Sequence, residues 1–109
     1  MNYRGLELKL REIVERRLNE GWNLATMKQS RFVSFARDGQ CCVIGAAEID
    51  AGSSHPNWGD AIYVLGLDGM DEASAIEHGF EGKDIEPRMS RRLYAIGARL
   101  RRDYCEFDS

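Results

Sequence analysis

Arginines crowd one side of the C-terminal stretch of this chain. Arg88, Arg91, Arg92, Arg99 and Arg102 share an arc of about 100° if residues 87–104 form a helix, and Met89, Leu93, Ile96, Leu100 and Tyr104 form an apolar stripe facing the other way. A guanidinium is planar, permanently charged and able to grip carboxylate or phosphate through two parallel N–H bonds, so the chemistry of this ridge is capture of an anion. No acid interrupts it. Two kinds of partner suit it, an anionic protein surface and nucleic acid, although few aromatic residues accompany the arginines to stack on single-stranded bases. A third use is internal. Residues 48–86 carry ten acids against Lys83 alone, a net charge of −9, beside a net +6 over residues 87–102. The ridge is therefore expected to meet an anionic partner, or to be neutralised by the 48–86 segment within the chain or across a homodimer.

Other reactive residues are weaker candidates. Cys41, Cys42, His55, His78 and Cys105 lack the paired spacing of a structural zinc site, so no metal is expected. Cys42 with His55 or His78 would make a nucleophile and base only if folding brought them within hydrogen-bond reach beside an orienting group, and no motif couples the three roles. Asp68, Asp71 and Glu72 lack the alternating oxygen ligands of a calcium loop and read as helix caps and solvated turns. Gly66, Gly69, Gly79 and Gly82 bracket short helices rather than follow a strand, so they do not cradle phosphate, and no cofactor is expected.

The elements that must position these residues are mostly helical. Tyr3, Leu6, Leu10, Ile13, Val14 and Leu18 recur at helical spacing, and Gly21 with Trp22 suits a Schellman-type stop, so residues 3–20 read as a helix. Arg31 to Ala36, the turn pair Asp38-Gly39 and the apolar run from Cys41 predict a short β-hairpin, followed by a helix from about Ile44 to Gly52. Residues 52–57 are a loop. Two short helices follow, with Asn57 and Asp71 near their starts and Gly66 and Gly79 as their stops. The last helix is expected to open at Pro87 and run to about Tyr104, and Gly97 inside it marks a close contact with another helix.

Composition sets the frame. A chain of 109 residues, 43% hydrophobic and 30% charged with two prolines, suits a single globular domain over residues 1–109. Its net charge of −3 excludes bulk nucleic-acid binding by charge alone. No apolar run spans a bilayer, the start lacks the apolar core of a signal peptide, and three cysteines with two adjacent do not make a disulfide framework. These features point to the cytoplasm. The fold class is expected to be mainly α (α+β), a compact bundle of about four to five helices with one short β-hairpin.

Cys42-Val43-Ile44-Gly45-Ala46, Trp58 and Ala61 before Leu65-Gly66, Ile76 with Gly79-Phe80-Glu81-Gly82, and Leu93 to Leu100 together resemble small uncharacterised bacterial and phage proteins with a Cys-x-x-Gly-Ala segment and a Gly-Phe-acid-Gly turn. The resemblance spans about residues 41–103 and implies a compact, mostly helical fold with no known activity, so it transfers no functional residue. The expected function is that of a non-enzymatic accessory or protein-interaction domain, with a homodimer as the expected assembly. The alternatives are a nucleic-acid-binding regulator using the arginine ridge, and a small enzyme using Cys42 or His55.

Overall fold

The computed structural model describes residues 1–27, 34–36 and 38–105. Among them are five helices: α1 (Tyr3–Asn19), α2 (Val43–Asp50), α3 (Trp58–Leu65), α4 (Met70–Glu81) and α5 (Arg91–Tyr104). Two short strands, β1 (Asn23–Leu24) and β2 (Gln40–Cys41), pair in parallel, with Asn23 opposite Gln40 and Leu24 opposite Cys41. The architecture is thus a mainly α bundle with one small strand pair.

The turn at Asp38-Gly39 does fold the chain back: the Ala36 amide donates to the Gln40 carbonyl at 2.7 Å, and Phe35 bridges Cys41 in antiparallel fashion. The ladder, however, is built by β1, to which the sequence pattern assigns no element. Cys41 is shared between both pairings: the segment after α1 takes one edge of β2, with the Asn23 and Ala25 amides donating to the Gly39 and Cys41 carbonyls, and the returning 34–36 segment takes the other. The outer part of the expected hairpin, residues 31–33 and Arg37, lies outside the described residues.

Each helix end has a local cause. Asn2 accepts the Gly5 amide at 2.9 Å and starts α1, while the Trp22 amide returns to the Arg17 carbonyl at 2.9 Å past Gly21, whose φ is +95°. Asn57 caps α3 by accepting the Gly59 amide, and Gly66 ends it in the left-handed conformation. The structure corrects two boundaries. Gly79 does not stop α4, which continues to Glu81 and ends on left-handed Gly82. Pro87 does not open the last helix: Ser90 is the cap, accepting the Leu93 amide at 3.2 Å, and α5 begins at Arg91. Arg88 therefore sits in the turn before the helix.

Glycines at 79 and 97 are instead where α4 and α5 touch. A Cβ on Gly97 would lie inside the contact distance of the Ile76 carbonyl oxygen and 2.7 Å from the Phe80 nitrogen, and a Cβ on Gly79 would collide with the Tyr94 carbonyl. Both obstacles are backbone atoms, which cannot swing away. This contact brings buried Leu93, Ile96 and Leu100 against Ile76 and Phe80, in one core with Leu10, Ile13 and Val14 of α1 and Val43 and Ile44 of α2. At the other end of α1, Arg17 is only 5% exposed and bonds Glu20 at 2.9 Å, Asp50 at 3.2 Å and the Ala46 carbonyl at 3.4 Å, pinning α1 to α2. Leu18, placed on the buried stripe by its spacing, is 37% exposed, and Arg17 takes the inward position.

Gly97→Ala is expected to destabilise the fold by about 1–3 kcal/mol despite a helix-propensity gain of about 1 kcal/mol, because the overpacked atoms are backbone. Thermal unfolding should show a fall of roughly 5–15 °C at this chain length. Gly69→Ala is the control: a Cβ there meets nothing within 4 Å, so its melting temperature should stay within a few degrees.

Candidate anion-binding groove

Arg91, Arg92, Arg99 and Arg102 of the ridge lie on α5 and Arg88 in the turn before it, and their side chains meet different partners. Arg92 is exposed, with its guanidinium carbon 5.2 Å from the centre of the Tyr3 ring, a cation–π contact across to α1. Arg99, one turn and more along α5, grips Glu7 of α1 through two nitrogens, Nη2 to Oε1 at 2.6 Å and Nε to Oε2 at 3.1 Å. Arg102 bonds the neighbouring Asp103 at 3.0 Å. Arg91 is exposed at the first turn of α5, and Arg88 faces a different groove, shared with Asp71, Ser74, His78, Glu86 and Met89. Arg92 and Arg99 are the two ridge residues that the fold brings to one site.

That site is a groove of about 260 Å³ between α1 and α5, lined by Tyr3, Arg4, Glu7, Arg92, Ala95 and Arg99. Three arginines and one carboxylate line it, so its formal charge is positive. Glu7 is held in place from two sides, because Arg11 also bonds it, Nη2 to Oε2 at 2.9 Å, and Arg11 in turn reaches Asp103 at 2.8 Å. The Arg99 guanidinium, followed by that of Arg11, keeps the Glu7 carboxyl below the usual carboxylate range against the opposing effect of burial. The same pairing with Glu7 raises Arg99 further above its ordinary value. The chemistry of its three guanidinium groups suits the holding of an anion, and they keep their protons at accessible pH.

Sequence reading missed Tyr3, Arg4 and Glu7 as parts of a site. By spacing Glu7 faces Arg11 one turn along the same helix, and Tyr3 belongs to the apolar stripe. Nothing in the spacing shows that α1 and α5 lie side by side here. Among the described residues, no ion pair within the chain joins the ridge to the acidic 48–86 segment. Its Asp50 pairs with Arg16 at 3.0 Å and Arg17 at 3.2 Å, both on α1, whereas the ridge residue Arg99 takes its carboxylate from α1 as well.

The histidines and cysteines lie elsewhere. Cys42 caps α2, its sulfur accepting the Gly45 amide at 3.2 Å, and its thiol lies 3.2 Å from Glu77 Oε2. It is fully buried, and burial followed by the Glu77 charge pushes the thiol well above its ordinary range, so it is protonated and shielded from substrate. His55 is exposed beside Ser54 at 3.3 Å, and His78 contacts the Ser74 carbonyl at 3.0 Å and Glu86 at 3.5 Å. The hydrogen-bond partners of Cys42 are thus a carboxyl and an amide, and neither histidine is among them. No cluster of three or more His, Cys, Asp or Glu side chains among the described residues is placed to hold a metal ion.

Beneath the surface sits a polar cluster without a signature in sequence. Glu48 is fully buried, with Oε2 accepting the Asn57 amide at 2.5 Å, and Trp58 donates to Ser34 at 3.2 Å nearby. Oε1 of Glu48 and Oε1 of Glu77 have no hydrogen-bond partner among the described residues. Burial raises both carboxyls, that of Glu77 to about 7, where the Cys42 thiol bond opposes the rise and the charges of Glu81 and Glu48 add to it.

No family model, no curated protein and no solved structure matches this chain. The groove is defined by its own geometry. No helix among the described residues is long and apolar enough to cross a membrane.

The Glu77 environment sets a pH dependence. Its folded value of about 7 lies above the reference 4.5, so the native state holds the extra proton between these values and stability falls as pH rises through them. The loss is roughly 3 kcal/mol by about pH 8. Melting temperature should therefore drop between about pH 5 and pH 8, and Glu77→Gln should flatten that slope and raise the value at the alkaline end. An unchanged slope in the variant would remove Glu77 as its source.

Proposed function

We propose that this chain is a small non-enzymatic interaction domain that binds an acidic surface of a partner protein through the groove between α1 and α5. The observation that carries the reading is the convergence of Arg4, Arg92 and Arg99 on one groove, with Arg92 braced over Tyr3. A braced guanidinium loses less rotamer freedom on binding than a free one, which favours a defined carboxylate contact over a diffuse field. The groove's volume of about 260 Å³ is below the usual range for a cofactor and suits one or two acidic side chains. Three buried cysteines held as thiols fit a reducing compartment such as the cytoplasm.

A second reading is favoured by the exposed carboxylates of the same chain. Asp68 and Asp71 at the start of α4 are exposed, so a second copy brings acidic groups of the right charge and a homodimer is the simplest assembly.

A fluorescent glutamate-rich peptide, titrated at low salt, is expected to bind the native chain. Arg4→Glu with Arg92→Glu should weaken it at least tenfold while the melting temperature moves by only a few degrees, since exposed charges contribute about 0–1 kcal/mol each. A labelled DNA duplex is the contrast: preference for it over the peptide, with a log–log salt slope that falls by about 0.9 for each arginine removed, would assign the groove to nucleic acid. For the homodimer, light scattering at high micromolar concentration should give twice the monomer mass at low salt and the monomer mass at about 0.5 M salt. Monomer under both conditions would reject it.

A further inference from the structure

The groove already contains an anion. Glu7 presents both carboxylate oxygens to Arg99 in the two-nitrogen geometry that a partner's carboxylate would use, at 2.6 and 3.1 Å. We propose that Glu7 is a built-in competitor, and that an acidic segment of a partner protein binds by displacing it from Arg99. This rests on the reading of the groove as a site for acidic protein surface.

The exchange is possible because the charges around Glu7 have alternatives. Arg11, its second cationic partner, holds Asp103 at 2.8 Å and keeps that carboxylate if Glu7 moves. Glu7 is itself only one helical turn from Arg11 on α1, so it leaves Arg99 by a change of rotamer while staying on Arg11. The Arg99 side chain is 41% exposed, so its guanidinium is reachable from solvent without opening the core. With Glu7 withdrawn, Arg4, Arg92 and Arg99 line the groove with no opposing charge among its lining residues. An incoming segment with two or three carboxylates then finds that number of guanidinium groups. The competitor also lowers attraction for weakly charged surfaces, since a single carboxylate gains little by replacing another, so the groove selects for closely spaced acids.

The test is a binding series with the glutamate-rich peptide and the full chain. Glu7→Gln is expected to tighten binding at least threefold, whereas Glu12→Gln, an equal charge change at an exposed position of the same helix, should shift it by less than 1.5-fold. Glu7→Asp keeps the charge but shortens the side chain by one methylene, so it should tighten binding in the same direction and guards against a variant that loosens α1. Equal gains for Glu7→Gln and Glu12→Gln, or no gain in Glu7→Asp, would show that only net charge matters and overturn the competitor while leaving the groove as a site. Absence of peptide binding in the native chain and in all three variants would remove the site itself.

Discussion

Two glycines, Gly79 and Gly97, set the distance between α4 and α5, and the rest of the molecule is arranged around that distance. Each helix presents its bare Cα to a backbone carbonyl of the other, so no side chain separates them. A helix pair this close has no room for polar side chains at its seam and must bury what flanks it. Ile76 and Phe80 on one side and Leu93, Ile96 and Leu100 on the other are accordingly fully or almost fully buried. The orientation of α5 follows from this contact. Turning its apolar stripe to α4 leaves the arginines no choice but to face outward or towards α1, which is where the groove forms.

The first helix resolves the charge segregation of the chain. Sequence suggests that the acidic middle and the basic end neutralise each other directly, being adjacent and opposite. In three dimensions the two segments meet along the apolar seam of α4 and α5, while Asp50 and Arg99 each find an ion-pair partner on α1. Its C-terminal Arg16 and Arg17 take Asp50 from the acidic part, and its Glu7 takes Arg99 from the basic part. The buried Arg17 is the costlier arrangement, because a guanidinium removed from water must be fully bonded. It has Glu20, Asp50 and the Ala46 carbonyl to meet that need. Removing any one of these leaves a charge in the core, so this end of α1 is structural. The Glu7 end lies nearer solvent, the side chain of its Arg99 partner being 41% exposed where that of Arg17 is 7% exposed.

How much of this was legible in the sequence depends on the range of the interaction. Caps and stops that act within four residues, such as Asn57, Gly66 and the Gly21-Trp22 turn, were readable because local chemistry decides them. Gly97 is readable as a close contact because a glycine inside an amphipathic helix has few other uses, but its counterpart Gly79 reads as a stop, since the true stop, Gly82, lies only three residues further on. The parallel pairing of β1 with β2 was out of reach: two residues after a helix carry no periodicity, and their partner lies 17 residues away. The arginines were legible as an anion-binding chemistry. Their division among Tyr3, Glu7, Asp103 and solvent was not, because it depends on which side of α5 faces α1.

Glu48 and Glu77 show the same limit in the core. By residue type both belong on the surface, yet both are buried, and each keeps one carboxylate oxygen without a partner among the described residues. Helical spacing alone puts Glu77 one position beyond Ile76 and three before Phe80, on the rim of the buried face, and the start of α2 covers that rim, with the Cys42 thiol 3.2 Å from Glu77 Oε2. Burial then favours the protonated acid, which is neutral and able to act as a hydrogen-bond donor, a role an ionised carboxylate lacks. α4 thus has two buried sides: its glycine seam sets the packing distance to α5 and turns the arginines outward, and its rim against Cys42 holds a titrating group in the core.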